Sequence, residues 1–215
     1  MHFQNFNKLA GIRQNDGIVV ICNIAAYKIL MSATLKFLPY EEMIPPDSTR
    51  LSFRPLTMED AKPWEEFILS EEAMKYFTFP RKRAESVAWI ERQLERYTLQ
   101  KGGMMAVTDK KNGTFYGQCG LLLQELDGEE VMEVGYSFLP QHWGKGYATE
   151  AAASFYKHGF DLKISPFIVS VIHVENIPSQ NVARRNGLTI WKTTKWKELP
   201  VEVWRIRETG KIPDS

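Results

Sequence analysis

Cysteine is nearly absent from this chain. Cys22 and Cys119 lie far apart, with no second pair to build a disulfide framework or a zinc set, so free thiols in a reducing cytoplasm are expected. Net charge is lacking as well: 27 Lys and Arg stand against 26 Asp and Glu, leaving +1. No global field therefore argues for a nucleic-acid or anionic-membrane partner, and partners must be argued from local sites. Long apolar runs are missing too. The one sizeable stretch, Gly17 to Met31, is interrupted by Asn23 and Lys28; it is too short and polar for the ~20 apolar residues of a bilayer span. Ala25-Ala26-Tyr27 matches a secretory cleavage site only loosely. The stretch is expected to form an extra strand or short helix, or to be an extension from an upstream start, with Met31 and Met43 as later starts. Repeats and low-complexity tracts are absent.

What is present suits one domain with an N-terminal appendage, which 215 residues allow. Residues 1–48 show no clean periodicity and close on Ile44-Pro45-Pro46-Asp47-Ser48, a run that can continue neither a helix nor a central strand. The domain is expected over 49–210, followed by a short tail, 211–215. Arg50 to Pro55 alternates as a strand, and Thr57 to Asp60 resembles a capping box opening a helix with Trp64, Phe67 and Ile68. Val87, Ile90, Leu94 and Tyr97 recur at helical steps in Ala84 to Gln100, which Gly102-Gly103 stops. Strands are expected at Met104 to Thr108, Phe115 to Gln124 and Glu130 to Leu139, with hairpin turns at Asn112-Gly113 and Asp127-Gly128. An alanine-rich helix (Thr149 to Phe160), a β-branched strand (Phe167 to Val174), a helix (Ser179 to Asn186) and two strands (Thr189 to Thr193, Val201 to Arg207) follow. The order is that of a mixed α/β (α+β) domain, a mixed sheet with helices on its faces.

The most informative segment is Trp143-Gly144-Lys145-Gly146-Tyr147-Ala148-Thr149, between a strand pattern and the alanine-rich helix. Its glycines allow a tight turn and close approach to backbone amides, and the helix start behind it leaves N–H groups unpaired beside a partial positive charge. That chemistry suits a phosphate. A Walker loop fails, because Lys145 is followed by Gly146 and Tyr147 rather than Ser or Thr. A dinucleotide fingerprint fits poorly, because Thr149 holds the third glycine's place and the loop follows antiparallel hairpins.

Gln141-His142-Trp143-Gly144-Lys145-Gly146-Tyr147-Ala148 resembles the acyl-CoA pyrophosphate loop of the GNAT superfamily of N-acetyltransferases. The preceding Glu133-Val134-Gly135-Tyr136-Ser137-Phe138-Leu139-Pro140 is similar to the strand before that loop in the ribosomal-protein N-terminal acetyltransferase (RimJ/RimL-like) branch. Glu175-Asn176-Ile177-Pro178-Ser179, running on to Gly187-Leu188, is similar to that branch's Asn-x-x-Ser, helix and Gly-Phe, with Leu188 in place of the Phe. The resemblance spans roughly Arg50 to Glu208.

It implies the GNAT acyl-CoA N-acyltransferase fold: a central, mostly antiparallel twisted sheet with helices on both faces. It implies acetyl-CoA as acyl donor and a primary amine as acceptor, whose nitrogen attacks the thioester directly in a ternary complex. A protein N-terminal amine comes first, and a small-molecule amine or antibiotic, or a non-catalytic CoA-binding interaction module, stand as alternatives. The pantetheine arm would lie against the backbone of Val134, Tyr136 and Phe138. The pyrophosphate would take amides from Trp143 to Ala148, within a cofactor set of Gln141, His142, Trp143, Gly144, Lys145, Gly146, Tyr147, Ala148, Thr149, Asn176 and Ser179.

Thioester aminolysis needs a neutral amine, an oxyanion site and a proton for the thiolate. Glu133, His173 or a water-relayed base could serve the amine. The tyrosine that many relatives carry in the C-terminal helix is absent between Ser179 and Gly187, so Ser179 is the proton donor by position. Tyr76, Phe77 and Phe79 could shape the acceptor pocket. No metal set is visible, and a cytoplasmic monomer or homodimer without nucleic acid or membrane partner is expected.

Overall fold

The computed structural model describes residues 13–15, 18–20 and 38–208, and the chain divides into two compact units, Met1–Lys36 and Phe37–Ser215. In the first, β1 (Arg13–Asn15) pairs antiparallel with β2 (Ile18–Val20). The remainder of the Gly17 to Met31 stretch lies outside the described residues.

The second unit is built on a seven-stranded sheet in the order β3-β4-β5-β6-β7-β9-β8. Its strands are β3 (Leu51–Arg54), β4 (Gly102–Asp109), β5 (Phe115–Leu126), β6 (Glu129–Phe138), β7 (Phe167–His173), β8 (Thr189–Trp196) and β9 (Leu199–Arg207). All neighbours are antiparallel except β6 and β7, so the fold is the mixed, mostly antiparallel sheet expected. Helices α1 (Ala61–Leu69), α2 (Glu71–Met74) and α3 (Ala84–Thr98) lie on one face; α4 (Tyr147–Asp161) and α5 (Ile177–Arg185) lie on the other.

Each helix has a local cause. Thr57 opens a 3-10 turn, with its N–H donating to the Asp60 carboxylate, and α1 follows directly. The stub α2 is capped by Ser70 Oγ, which accepts from Ala73 N–H. Helix α5 starts two residues before the expected Ser179, because Asn176 Oδ1 accepts from the Ser179 amide and Pro178 fits the first turn, where it gives up no intrahelical bond. It stops at Gly187, whose φ of +80° suits glycine.

The α1–α3 face is sealed by Trp64, Phe67, Ile68, Trp89 and Ile90 against Met104, Ala106 and Leu122. On the other face, Ala151, Ala152 and Gly159 let α4 lie close; a Cβ on Gly159 would stand 3.0 Å from both Ile168 and Leu121. Leu188 packs with Ile172, Ala183 and Trp204, the apolar role its place implies. Residues 38–48, expected as the end of an N-terminal extension for want of periodicity, pack on the domain: Leu38 and Met43 are buried, and Tyr40 stacks on Tyr97 at 4.3 Å.

Candidate active site

The sheet opens in its middle. Strands β6 and β7 share one residue pair, Glu133↔Val169, and part beyond it. At that point two side chains take backbone groups of the opposite strand. Ser170 Oγ donates to the Val134 carbonyl at 2.9 Å, and the Glu133 carboxylate accepts from Val171 N–H at 3.4 Å. Backbone groups alternate sides along a strand, so Tyr136 faces the gap as Val134 does. The Val134 carbonyl is taken by Ser170, and the Phe138 carbonyl accepts from the Trp143 indole at 2.6 Å. Of the three expected backbone partners, Tyr136 is therefore the one whose carbonyl accepts from no side chain among the described residues. Its phenol crosses to α5 and donates to the Ser179 carbonyl at 3.0 Å, and burial pushes its pKa up.

The gap leads to the glycine loop. Gly144 and Gly146 have φ of +71° and +80°, and Gly146 is the N-cap of α4, with no side chain capping the helix among the described residues. The amides from Gly144 to Thr149 donate to no group among the described residues. A Cβ on Gly144 would meet only open space, so the amides are accessible to an anion. The loop is braced from below: Arg50 donates to the Lys145 carbonyl at 3.0 Å and to Glu150, and its guanidinium lies 4.6 Å from the Tyr147 ring centroid. Ser48 adds a bond to Glu150 at 2.8 Å. Burial raises the Glu150 pKa, but the bonds from Ser48 and Arg50 outweigh it and hold the carboxyl below its ordinary value.

The remaining loop residues are anchors. Gln141 donates to Glu66, and the His142 ring lies tilted against Tyr116, centroids 4.1 Å apart; desolvation, then the Lys145 charge, lowers the His142 pKa.

Glu133 lies opposite Leu122, hence on the α1–α3 face, and is 8% exposed. Burial pushes its pKa up, against the bonds from Gln124 (2.8 Å) and Val171 and the charges of Arg96 and Lys197. His173 is half-buried on the same face, stacked on Tyr76 at 4.9 Å, with Nδ1 accepting from Glu175 N–H. That acceptor role leaves its proton on Nε2 in the neutral ring. Tyr76 donates to the Glu175 carbonyl, so the segment after α2 is tied to the end of β7. Phe77 and Phe79 pack edge-on against Trp89 nearby. Asn176 spends its Oδ1 on the α5 cap.

Sequence reasoning missed Arg50, Ser48 and Ser170. Arg50 and Glu150 are 100 residues apart, and no local pattern links them.

A half-open sheet with a glycine-turned helix start at the mouth of the opening defines an acyl-transferase class of site. The chain matches the Acetyltransferase (GNAT) domain over residues 50–189, and it belongs to that family. It is an acetyltransferase, and the donor of the family is acetyl-CoA. Among curated proteins, it is 34% identical over 124 residues to the uncharacterized protein YkkB of Bacillus subtilis (strain 168), covering 58% of this chain and 70% of that one. An acetyltransferase of Agrobacterium tumefaciens superposes with a TM-score of 0.65 at 25% identity, over 75% of this chain and 92% of that one. RimL, a ribosomal L7/L12 alpha-N-protein acetyltransferase solved with coenzyme A, shares the fold, with a TM-score of 0.64 at 17% identity over 76% of this chain and 97% of that one.

Proposed function

We propose that this enzyme moves the acetyl group of acetyl-CoA onto a primary amine by direct attack within a ternary complex. The observation that carries this reading is the parting of β6 and β7 after one residue pair, beside amides at the start of α4 that have no partner among the described residues. The diphosphate would sit on the amides of Gly144 to Thr149, with Lys145 adding charge. The pantetheine arm would run back along β6, taking the free backbone groups of Tyr136, with Val134 and Phe138 lining it.

Acceptor nitrogen attacks the thioester carbon, and the carbon–sulfur bond breaks. Glu133 takes the amine proton; burial raises its pKa and so makes it a stronger base than an exposed carboxylate. The thiolate is reprotonated at the α5 end of the gap, where the Tyr136 phenol and Ser179 stand together. Asn176 holds α5 in place through its cap, and the raised pKa of Tyr136 keeps its phenol protonated.

The acceptor we favour is a protein N-terminal amine, on the strength of the motifs at 133–140 and 175–188, and we place the reaction in the cytoplasm. The test is a panel of peptide and small-molecule amines read by free CoA release, beside thermal unfolding with acetyl-CoA, desulfo-CoA and dephospho-CoA. Acetyl-CoA should raise Tm by mass action, and the analogues less. An absent shift at millimolar acetyl-CoA would sink the site assignment. A shift without thiol release from any amine would make the chain a binding module.

A further inference from the structure

Gln118 on β5 is wholly buried, and its carboxamide has a fixed orientation. Oε1 accepts from the Trp89 indole at 3.0 Å; an indole N–H only donates, so the amide oxygen faces Trp89 and the NH2 group faces away from it. That nitrogen has no partner among the described residues. Buried donors are paired as a rule, and an orphan costs its full desolvation, so this one marks a place for an oxygen that the described chain does not supply.

The strand register shows what stands beside it. Gln118 pairs with Ser137 of β6, and Glu133 pairs with Val169 of the parallel β7, so four residues further on Ser137 and His173 are level with each other across the opening. Side chains alternate along a strand, which puts Gln118, Ser137 and His173 on the α1–α3 face with Glu133. Ser137 and His173 are half-buried, and neither the Ser137 hydroxyl nor His173 Nε2 has a hydrogen-bond partner among the described residues. Between this row and Glu133 lies Gly135. A Cβ there would stand 3.0 Å from Leu122 and 3.2 Å from Met104, so no side chain of β6 rises between Glu133 and the row. Aromatic rings bracket the row: Tyr76 stacks on His173, and Phe77 and Phe79 pack on Trp89.

All three groups are uncharged donors: an amide NH2, a hydroxyl and, because Nδ1 accepts from Glu175 N–H, an imidazole Nε2–H. Such a row suits a neutral carbonyl oxygen, whereas a carboxylate is held more strongly by a cation.

We infer that Gln118, Ser137 and His173 bind a main-chain carbonyl of a peptide acceptor, a few residues beyond its reacting amine. This rests on the acetyl-transfer reading above and names the substrate class within it. Four residues of strand span about 13 Å, and an extended chain advances at most ~3.6 Å per residue, so an acceptor with its amine at Glu133 reaches the row only with about three residues or more. A compact amine does not reach both places.

The experiment measures kcat/KM for serinamide and for Ser-Ala peptide amides of increasing length, with acetyl-CoA and the full chain. The value should step up about tenfold when the third or fourth residue is added, the worth of one hydrogen bond to a buried donor, and stay level beyond it. An alkene in place of the peptide bond that completes the step should abolish it. Gln118→Met should remove the step and Ser137→Ala should shrink it, both through the KM for the peptide, with the KM for acetyl-CoA in place. Should Gln118→Met fail to fold, Ser137→Ala, at a half-buried position, still decides. Equal use of all lengths, a step that survives the alkene, or an equal loss on serinamide and the long peptide in Ser137→Ala would overturn the inference. Should no amine release thiol, the acetyl-transfer reading fails on its own, and titration of the peptide and its alkene analogue into the protein loaded with desulfo-CoA decides this one. Tighter binding of the peptide, weakened in Ser137→Ala, supports it; equal binding refutes it and leaves the Gln118 amide to a buried water.

Discussion

The hydroxyl of Ser170 donates to the Val134 carbonyl at 2.9 Å, across the place where β6 and β7 part. Both residues are buried, so the bond has no water to replace it.

Ser170→Ala should therefore leave a buried carbonyl without a partner, at about 1–3 kcal/mol of stability. Ser170→Thr, which keeps the hydroxyl, should lose less. Denaturant unfolding of both variants checks this, and equal losses would assign the effect to packing.

Glu133→Gln should lower kcat by about a hundredfold or more, the usual contribution of a general base. In the wild type, activity should rise with pH as the carboxyl deprotonates, and that limb should lie above the ordinary glutamate range because burial raises the pKa. A pH profile of kcat/KM with the limb at an ordinary glutamate value would remove Glu133 from the chemistry.

Tyr136→Phe removes the phenol at the α5 end of the gap and leaves the backbone unchanged. A drop in kcat with the KM for acetyl-CoA nearly constant is expected, and a larger drop when combined with Ser179→Ala. Steady-state kinetics of the two single variants and the double variant tell which group returns the proton.

Arg50→Ala should release the Lys145 carbonyl and uncouple Glu150. The KM for acetyl-CoA should rise severalfold with kcat less affected, and Tm should fall by about 2–4 °C for each kcal/mol lost. The Glu150 pKa is depressed in the folded state, so its contribution is present above the unfolded value and is lost as pH falls through the folded one. Thermal scans of wild type and Glu150→Gln should accordingly converge as the solution is acidified through that range.

Gly146→Ala forces a Cβ onto a residue at φ +80°, with Arg50 Nη2 3.5 Å from where that carbon would stand. A rise in the KM for acetyl-CoA above that of Lys145→Ala is expected, because the amides, and not the lysine charge, would carry the diphosphate. Donor titrations of both variants rank the two contributions.

The legible parts of this chain are the ones whose causes are local. The glycine turn, the Asn112-Gly113 and Asp127-Gly128 hairpins and the alanine-rich helix each follow from neighbours in sequence. Helix α2 was missed because four residues carry no periodicity; Ser70 and burial of Ala73 and Met74 make it. The extent of the gap could not be read either. Val134, Tyr136 and Phe138 look equivalent along the strand, and only Ser170 and Trp143, from elsewhere in the fold, take two of the three carbonyls.

The lone Glu133↔Val169 pair makes the seven strands two half-sheets, β3 to β6 and β7 to β8, stitched at one point. Beyond that pair the two halves are held across the seam by side chains, Ser170 on the Val134 carbonyl and Glu133 on the Val171 amide, rather than by a ladder. A pantetheine arm lying in the slot would then stand in for a missing strand, so loading the enzyme with donor should slow amide exchange on both halves together.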